Sequence, residues 1–168
     1  MSSKKRPSKK SSQPRRKRAK PAGLTYRPRQ AGDDVFLKHI TLVAMKELYE
    51  QATGMPLTEE AVEVLIAVSD TTVIIEREGR AIGYYSYLHP SPGRLYFCSL
   101  IFTPNAQGKG YGLEVCRHME ADARRDGVHT IEGHVQVTNQ RAIRYWTNQG
   151  YRIVGPPIQG SYPIEKKI

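Results

Sequence analysis

The chain lacks any run of about 18 consecutive apolar residues, which rules out a helix built to cross a membrane. Cysteine is nearly absent, with only Cys98 and Cys116 among 168 residues. A disulfide framework is therefore excluded, and both thiols read as small core hydrophobes in a reducing compartment. The five histidines (His39, His89, His118, His129 and His134) have no metal-ligand spacing with each other or with cysteine, so no metal site is expected. The most uneven shortage is of acid: residues 1–29 hold twelve of the 26 Lys and Arg and none of the 16 Asp and Glu. Residues 30–168 are close to neutral, with fourteen basic against sixteen acidic residues.

Residues 1–23 also lack apolar side chains to bury, and proline, serine and mutually repelling cations predict a disordered basic tail. No apolar core of an export signal precedes the rest of the chain, so a cytoplasmic location is expected. Lys4-Lys5-Arg6 and Arg15-Arg16-Lys17-Arg18 also suit a bipartite nuclear signal if the source is eukaryotic. A basic segment of this kind either solubilises the chain or binds nucleic acid or another polyanion by releasing counterions. Both readings stay open for residues 1–29.

From Leu24 onward the pattern becomes that of one folded domain, 24–168. Leu24–Pro28 reads as a strand. A helix runs from Asp33 or Asp34 to about Glu50 with Phe36, Ile40, Val43, Met45 and Leu48 as its apolar stripe. A second helix starts after Thr58 with Val62, Leu65 and Ile66 inward. Thr71–Glu76 and Ala81–Leu88 flank a tight Glu78-Gly79 turn as a hairpin. His89–Gly93 reads as a loop, Leu95–Phe102 as an apolar strand, Tyr111–Arg125 as a helix, and Thr130–Val137 as a strand. A helix at Arg141–Asn148 and strands near Tyr151–Val154 and Tyr162–Lys167 finish the chain.

The most informative segment joins the apolar strand to its helix: Phe102-Thr-Pro104-Asn-Ala-Gln107-Gly108-Lys109-Gly110-Tyr111-Gly112-Leu113. Glycines allow a sharp turn and bare backbone N–H groups, and the helix start adds its unpaired amides and positive dipole end. This is a pattern for cradling a pyrophosphate. The dinucleotide fingerprint fits poorly, because glycines 108, 110 and 112 have the wrong spacing and no acid closes a second strand. The Walker loop fails for want of Gly-Lys-Ser/Thr.

Gln107-x-x-Gly110-x-Gly112, with Pro104 upstream, resembles the coenzyme A loop of the GNAT acetyltransferase superfamily. A second segment agrees: Val137-Thr-Asn139-Gln-Arg-Ala142 through Gly150-Tyr151 is similar to that family's strand, Asn-x-x-Ala helix and Gly-Phe/Tyr ending. The resemblance spans residues 24–168. It implies an α/β protein of the α+β type, with a mixed sheet of about seven strands, four helices and the order β-α-α-β-β-β-α-β-α-β-β. It further implies acetyl-CoA as co-substrate and an amine-bearing acceptor. Leu100, Ile101 and Phe102 correspond to the strand edge that takes the pantetheine arm. Gln107, Gly108, Lys109, Gly110, Tyr111 and Gly112 correspond to the pyrophosphate loop, and Asn139 and Trp146 flank the arm.

An amine with a pKa of ~10.4 must lose a proton before it can attack an acyl carbon. His134, five residues before Asn139, is the favoured base, because imidazole titrates in the useful range. Glu132 is the alternative on the same face, and an ordinary strand histidine is the plain reading. The family's other base, a glutamate on the strand before the loop, has no match; Arg94 falls near that position. Many relatives carry an acidic tyrosine seven residues after the Asn, where this chain has Trp146. Tyr145 is one residue early, a turn of ~100° on a helix. It is carried as the candidate acid beside a core-aromatic reading. The residues thus imply an N-acetyltransferase. The missing glutamate and displaced tyrosine keep a non-catalytic acyl-CoA-binding module, tethered by its tail, as the alternative.

Overall fold

In the computed structural model, residues 23–168 are described, and the basic segment 1–22 lies outside them. Seven strands form one sheet in the order β1-β2-β3-β4-β5-β7-β6. They are β1 (Leu24–Pro28), β2 (Thr71–Arg77), β3 (Arg80–Ser91), β4 (Arg94–Phe102), β5 (Thr130–Gln136), β6 (Arg152–Ile153) and β7 (Ser161–Lys167). Four α-helices, α1 (Asp34–Thr53), α2 (Glu59–Ala67), α3 (Tyr111–Arg125) and α4 (Gln140–Asn148), complete the expected element order. Every strand pairing is antiparallel except β4 with β5, the pair that α3 connects.

Local chemistry explains the boundaries. Glu78 and Gly79 both take positive φ, 53° and 73°, the geometry a two-residue hairpin turn demands. Thr58 Oγ1 accepts from Ala61 N at 3.2 Å and caps α2, while Gly54 at φ 70° ends α1. Arg27 on β1 grips both carboxylate oxygens of Asp33 at 2.8 Å and Glu76 Oε1 at 2.7 Å, tying the entry of α1 to the first hairpin. That double hydrogen bond holds the nearly buried Asp33 carboxyl below the usual carboxylate range.

The sheet separates two cores. On one face Leu37, Ile40, Val62 and Ile66 of α1 and α2 pack on Ile74, Tyr84 and Ile101. On the other, Val115, Met119 and Ala123 of α3 pack with Ile75, Tyr85, Leu95, Phe97, Ile131, Val135, Tyr151 and Ile164. The inward face of α1 is rotated from the expected stripe: Leu37, Ile40 and Thr41 are buried, whereas Val43 is 52% exposed. Thr41 belongs inside because its hydroxyl donates to Leu37 O at 2.7 Å and meets Tyr84 Oη at 2.8 Å, so its polarity is satisfied there.

Two further expectations change. His89–Ser91, read as loop, extends β3, because Ser91 pairs with Arg94 and leaves only a short turn at Pro92-Gly93. Cys98 is a half-buried bulge residue rather than a core residue, since Ser86 and Tyr87 of β3 face Ser99 and Phe97 of β4 and skip it. The extra residue swaps the strand's faces. Leu95 and Phe97 point to the α3 core before it, and Ile101 to the α1 core after it.

Candidate active site

The parallel pairing of β4 with β5 covers Arg94 to Tyr96 against Thr130 to Glu132 and then stops. Beyond it the strands fork, so Ser99–Phe102 keeps β3 on one side and has no β5 partner on the other. The fork opens a cleft of about 170 Å³. Its walls are Phe97–Ile101 of β4, Gly133 and His134 of β5, Trp146 of α4 and Met45 of α1, with Tyr151 and Ile164 beneath.

The open half of β4 leads into the glycine loop. A 3-10 turn at Pro104–Ala106 reverses the chain, and Gly108 (φ 72°) and Gly110 (φ 81°) are left-handed. A Cβ built at either glycine meets no atom within 4 Å, so the space beside both residues is open. Gly110 caps α3, whose first amides have no carbonyl of their own helix to bond. Gln107 has another place: it donates its own N–H to Pro104 O at 3.3 Å and its side-chain amide to Phe102 O at 3.2 Å. It braces the loop against the strand end, ahead of the loop residues Gly108 to Gly110 that lead into α3. The Tyr111 ring is buried, with its hydroxyl accepting from Arg77 and that guanidinium 5.6 Å above the ring centre. Only its amide reaches the loop, and Arg77, which no motif flagged, anchors the helix start.

Gly112 joins the two motifs. A Cβ there would lie 2.9 Å from Tyr145 Oη, so glycine is what lets α4 approach α3. Tyr145 consequently faces α3, its hydroxyl 3.5 Å from Cys116 Sγ, and burial raises its pKa well above the phenol range. Trp146, one residue on, lines the cleft and packs edge-on against Phe97 at 5.3 Å and Tyr151 at 5.0 Å. The structure therefore does not bring Tyr145 to the cleft. Asn139 caps α4, its Oδ1 accepting from Ala142 N at 3.0 Å, which is the physical content of the Asn-x-x-Ala spacing.

His134 stands at the fork, exposed, with Nδ1 2.8 Å from Tyr96 Oη. Glu132 does not share that freedom, because Arg94 donates to its carboxylate and also to Glu165 Oε2 at 2.9 Å. Arg94 and Lys167 hold the Glu165 carboxyl below its usual range. The position where a glutamate base was missed thus carries the cation that neutralises Glu132. The two cysteine thiols are pushed up to about 11, chiefly by burial, so neither is a thiolate nucleophile. Among the described residues no cluster of His, Cys, Asp and Glu could hold a metal ion, and no helix is long and apolar enough to cross a membrane.

The two motifs implied a strand edge leading to a glycine loop at a helix start; the structure has these and adds the fork between β4 and β5. The Acetyltransferase (GNAT) family matches the chain over residues 42–151.

The chain belongs to the GNAT acetyltransferase family.

Solved structures of that fold agree. Spermidine N-acetyltransferase from Vibrio cholerae, in complex with CoA and spermine, superposes with a TM-score of 0.70 at 18% identity, covering 88% of this chain and 96% of that one. Ribosomal-protein-S18-alanine N-acetyltransferase from Escherichia coli gives 0.65 at 16% identity, covering 86% and 94%. The paia N-acetyltransferase from Thermoplasma acidophilum, in complex with coenzyme A, gives 0.67 at 13% identity, covering 86% and 99%. No curated protein matches the sequence of this GNAT chain.

Proposed function

We propose that this GNAT protein is an N-acetyltransferase that moves an acetyl group from acetyl-CoA directly to a primary amine. The observation that carries the reading is the continuity of the β4–β5 fork with the open loop at Gly108 and Gly110. The residues present fit the co-substrate. The unpartnered edge at Leu100, Ile101 and Phe102 offers strand-type hydrogen bonds to the amides of a pantetheine arm, and Trp146 and Phe97 give that arm an apolar wall. The amides from Gly108 to Gly112 and the dipole of α3 hold the pyrophosphate, with Lys109 adding a positive charge. Asn139 keeps the start of α4 beside the arm. When bound, acetyl-CoA supplies a thioester carbonyl open to attack by a free amine.

His134 takes the proton that the acceptor ammonium must lose, directly or through water. Glu132 is the weaker candidate, because Arg94 already shares its charge. Tyr145 is left out of proton transfer and serves as packing between α3 and α4. Glu132 and Glu165 are both paired with Arg94, whereas Asp70 lies within electrostatic reach of Cys98 in the cleft wall. Residues 1–29 act as a separate polyanion-binding segment.

Titration calorimetry with acetyl-CoA is the first test. Binding by the wild type that Gly110→Glu abolishes, followed by CoA release with an amine or peptide acceptor, is the expected result. A folded wild type that binds no acetyl-CoA overturns the reading. Tight binding without turnover on a broad acceptor panel leaves a non-catalytic acyl-CoA module instead.

A further inference from the structure

The fork has a vertex, and two side chains occupy it. Tyr96 is the last β4 residue in register with β5, opposite Glu132, and His134 lies two residues past that pair on the same face. Where the backbone ladder stops, Tyr96 Oη and His134 Nδ1 continue the contact at 2.8 Å, with ring centres 5.7 Å apart. An imidazole so held has its other nitrogen, Nε2, left for the cleft it lines. Which proton Nε2 carries depends on the direction of the Tyr96 bond. A hydroxyl that donates to Nδ1 makes Nε2–H a donor. A hydroxyl that accepts from Nδ1–H makes Nε2 a proton acceptor.

We infer that Tyr96 is a positioning residue: its oxygen accepts from Nδ1–H of His134 and thereby keeps the Nε2 lone pair turned to the acceptor amine. The inference rests on the reading of His134 as the proton acceptor. Two features favour this direction. His134 is exposed and Tyr96 is half-buried, with their hydrogen bond at the surface, so the phenol can give its own hydrogen to water while accepting from the ring. Once the ring takes a second proton, both nitrogens donate, and only an accepting partner remains bonded. Burial, with smaller contributions from Cys98 and Glu132, raises the Tyr96 pKa, so the partner is a neutral phenol and not a phenolate. A neutral acceptor steadies the imidazolium without trapping it, whereas a free carboxylate here would hold the ring charged. The other groups around the vertex are Cys98 on β4, with Asp70 in electrostatic reach of it, and Glu132 on β5, the latter paired with Arg94, which also binds Glu165; Lys167 closes on Glu165 at 3.1 Å.

Long-range proton–nitrogen spectra of the 15N-labelled full chain read the tautomer without any turnover. The expected result is His134 carrying its proton on Nδ1 at neutral pH, and losing that preference in Tyr96→Phe. With an accepted amine, Tyr96→Phe then lowers kcat by about tenfold, the worth of one hydrogen bond, and leaves the acetyl-CoA KM unchanged. An Nε2–H tautomer in the wild type overturns the inference, as does a His134→Gln variant with the wild-type pH profile. An Nδ1–H tautomer in a chain that acetylates no amine supports the Tyr96–His134 pairing and removes the acetyltransferase reading alone.

Discussion

The two halves of β4 differ in what pairs with them. Arg94–Tyr96 is paired on both sides, to β3 and to β5, and its one charge is bound by Glu132 and Glu165. Leu100–Phe102 is paired to β3 alone, and Leu100 and Ile101 of it line a cleft. Between them lies the bulge at Cys98, which changes which face of the strand each side chain takes. One half of the strand holds the sheet together, and the other offers edge amides and carbonyls to a ligand. An unpaired strand edge is a template for a further strand; here a single fork confines that property to a few residues and gives them a fixed geometry.

The largest expected effect strikes the exit of the open half. Gly110→Glu puts a side chain and a negative charge into the loop, and acetyl-CoA affinity should fall by about a hundredfold, at ~1.4 kcal/mol per decade. Gly110→Ala separates charge from strain: it costs roughly 1–2 kcal/mol for the left-handed backbone, visible in denaturant unfolding, but keeps most of the affinity in the calorimeter. Equal loss of binding in both variants means that backbone shape, not anion repulsion, governs the loop.

The next effect tests the packing of α3 on α4. Gly112→Ala places a methyl 2.9 Å from Tyr145 Oη and should destabilise the domain, by about 1–3 kcal/mol for an overpacked contact. Removing the hydroxyl with Tyr145→Phe should make the same change neutral or stabilising by up to ~1 kcal/mol, the ordinary glycine-to-alanine gain in a helix. A double-mutant cycle in urea with no coupling between the two positions breaks the link between the motifs.

The paired half of β4 should answer to pH. Arg94 holds the Glu165 carboxyl below its ordinary 4.5. That stabilisation is complete above the ordinary value and disappears as pH falls through the lowered one. Arg94→Ala should therefore lower Tm modestly at pH 7 and by a shrinking amount in acid, until the variant and wild type melt together. A constant Tm difference across that range says the guanidinium acts by packing instead. The smallest effect on the domain should come from removing the tail. Residues 24–168 should keep acetyl-CoA affinity while losing retention on a DNA column at moderate salt, and equal retention by both forms sinks a polyanion role for the tail.

Patterns confined to one element were legible. The bounds of α3, Tyr111–Arg125, come from its glycine entry and helical apolar period, and the Glu78-Gly79 hairpin comes from turn chemistry. Asn139 was found through the resemblance of Asn-x-x-Ala to the family's helix, and the structure shows that this spacing is a helix cap. The inward face of α1 was less so. Val43 and Leu37 compete for it with similar hydrophobicity, and the choice was made by Tyr84, whose hydroxyl needs Thr41 beside Leu37. His89–Ser91 looked like a loop because of its prolines, Pro90 and the adjoining Pro92; pairing across the turn to Arg94 overrode that signal.

The sequence alone determined the order of elements, the family and the loop, because glycine spacing, capping offsets and apolar periods are local and survive without neighbours. The tertiary structure alone decided which groups are free to act. Glu132 is paired because Arg94 lies across the ladder from it, and Tyr145 packs toward α3 because Gly112 admits its hydroxyl. His134 acquired a partner because β4 and β5 part company at Tyr96. Each of these depends on residues at least 29 positions apart, a distance over which no local pattern carries a signal and only packing sets who meets whom.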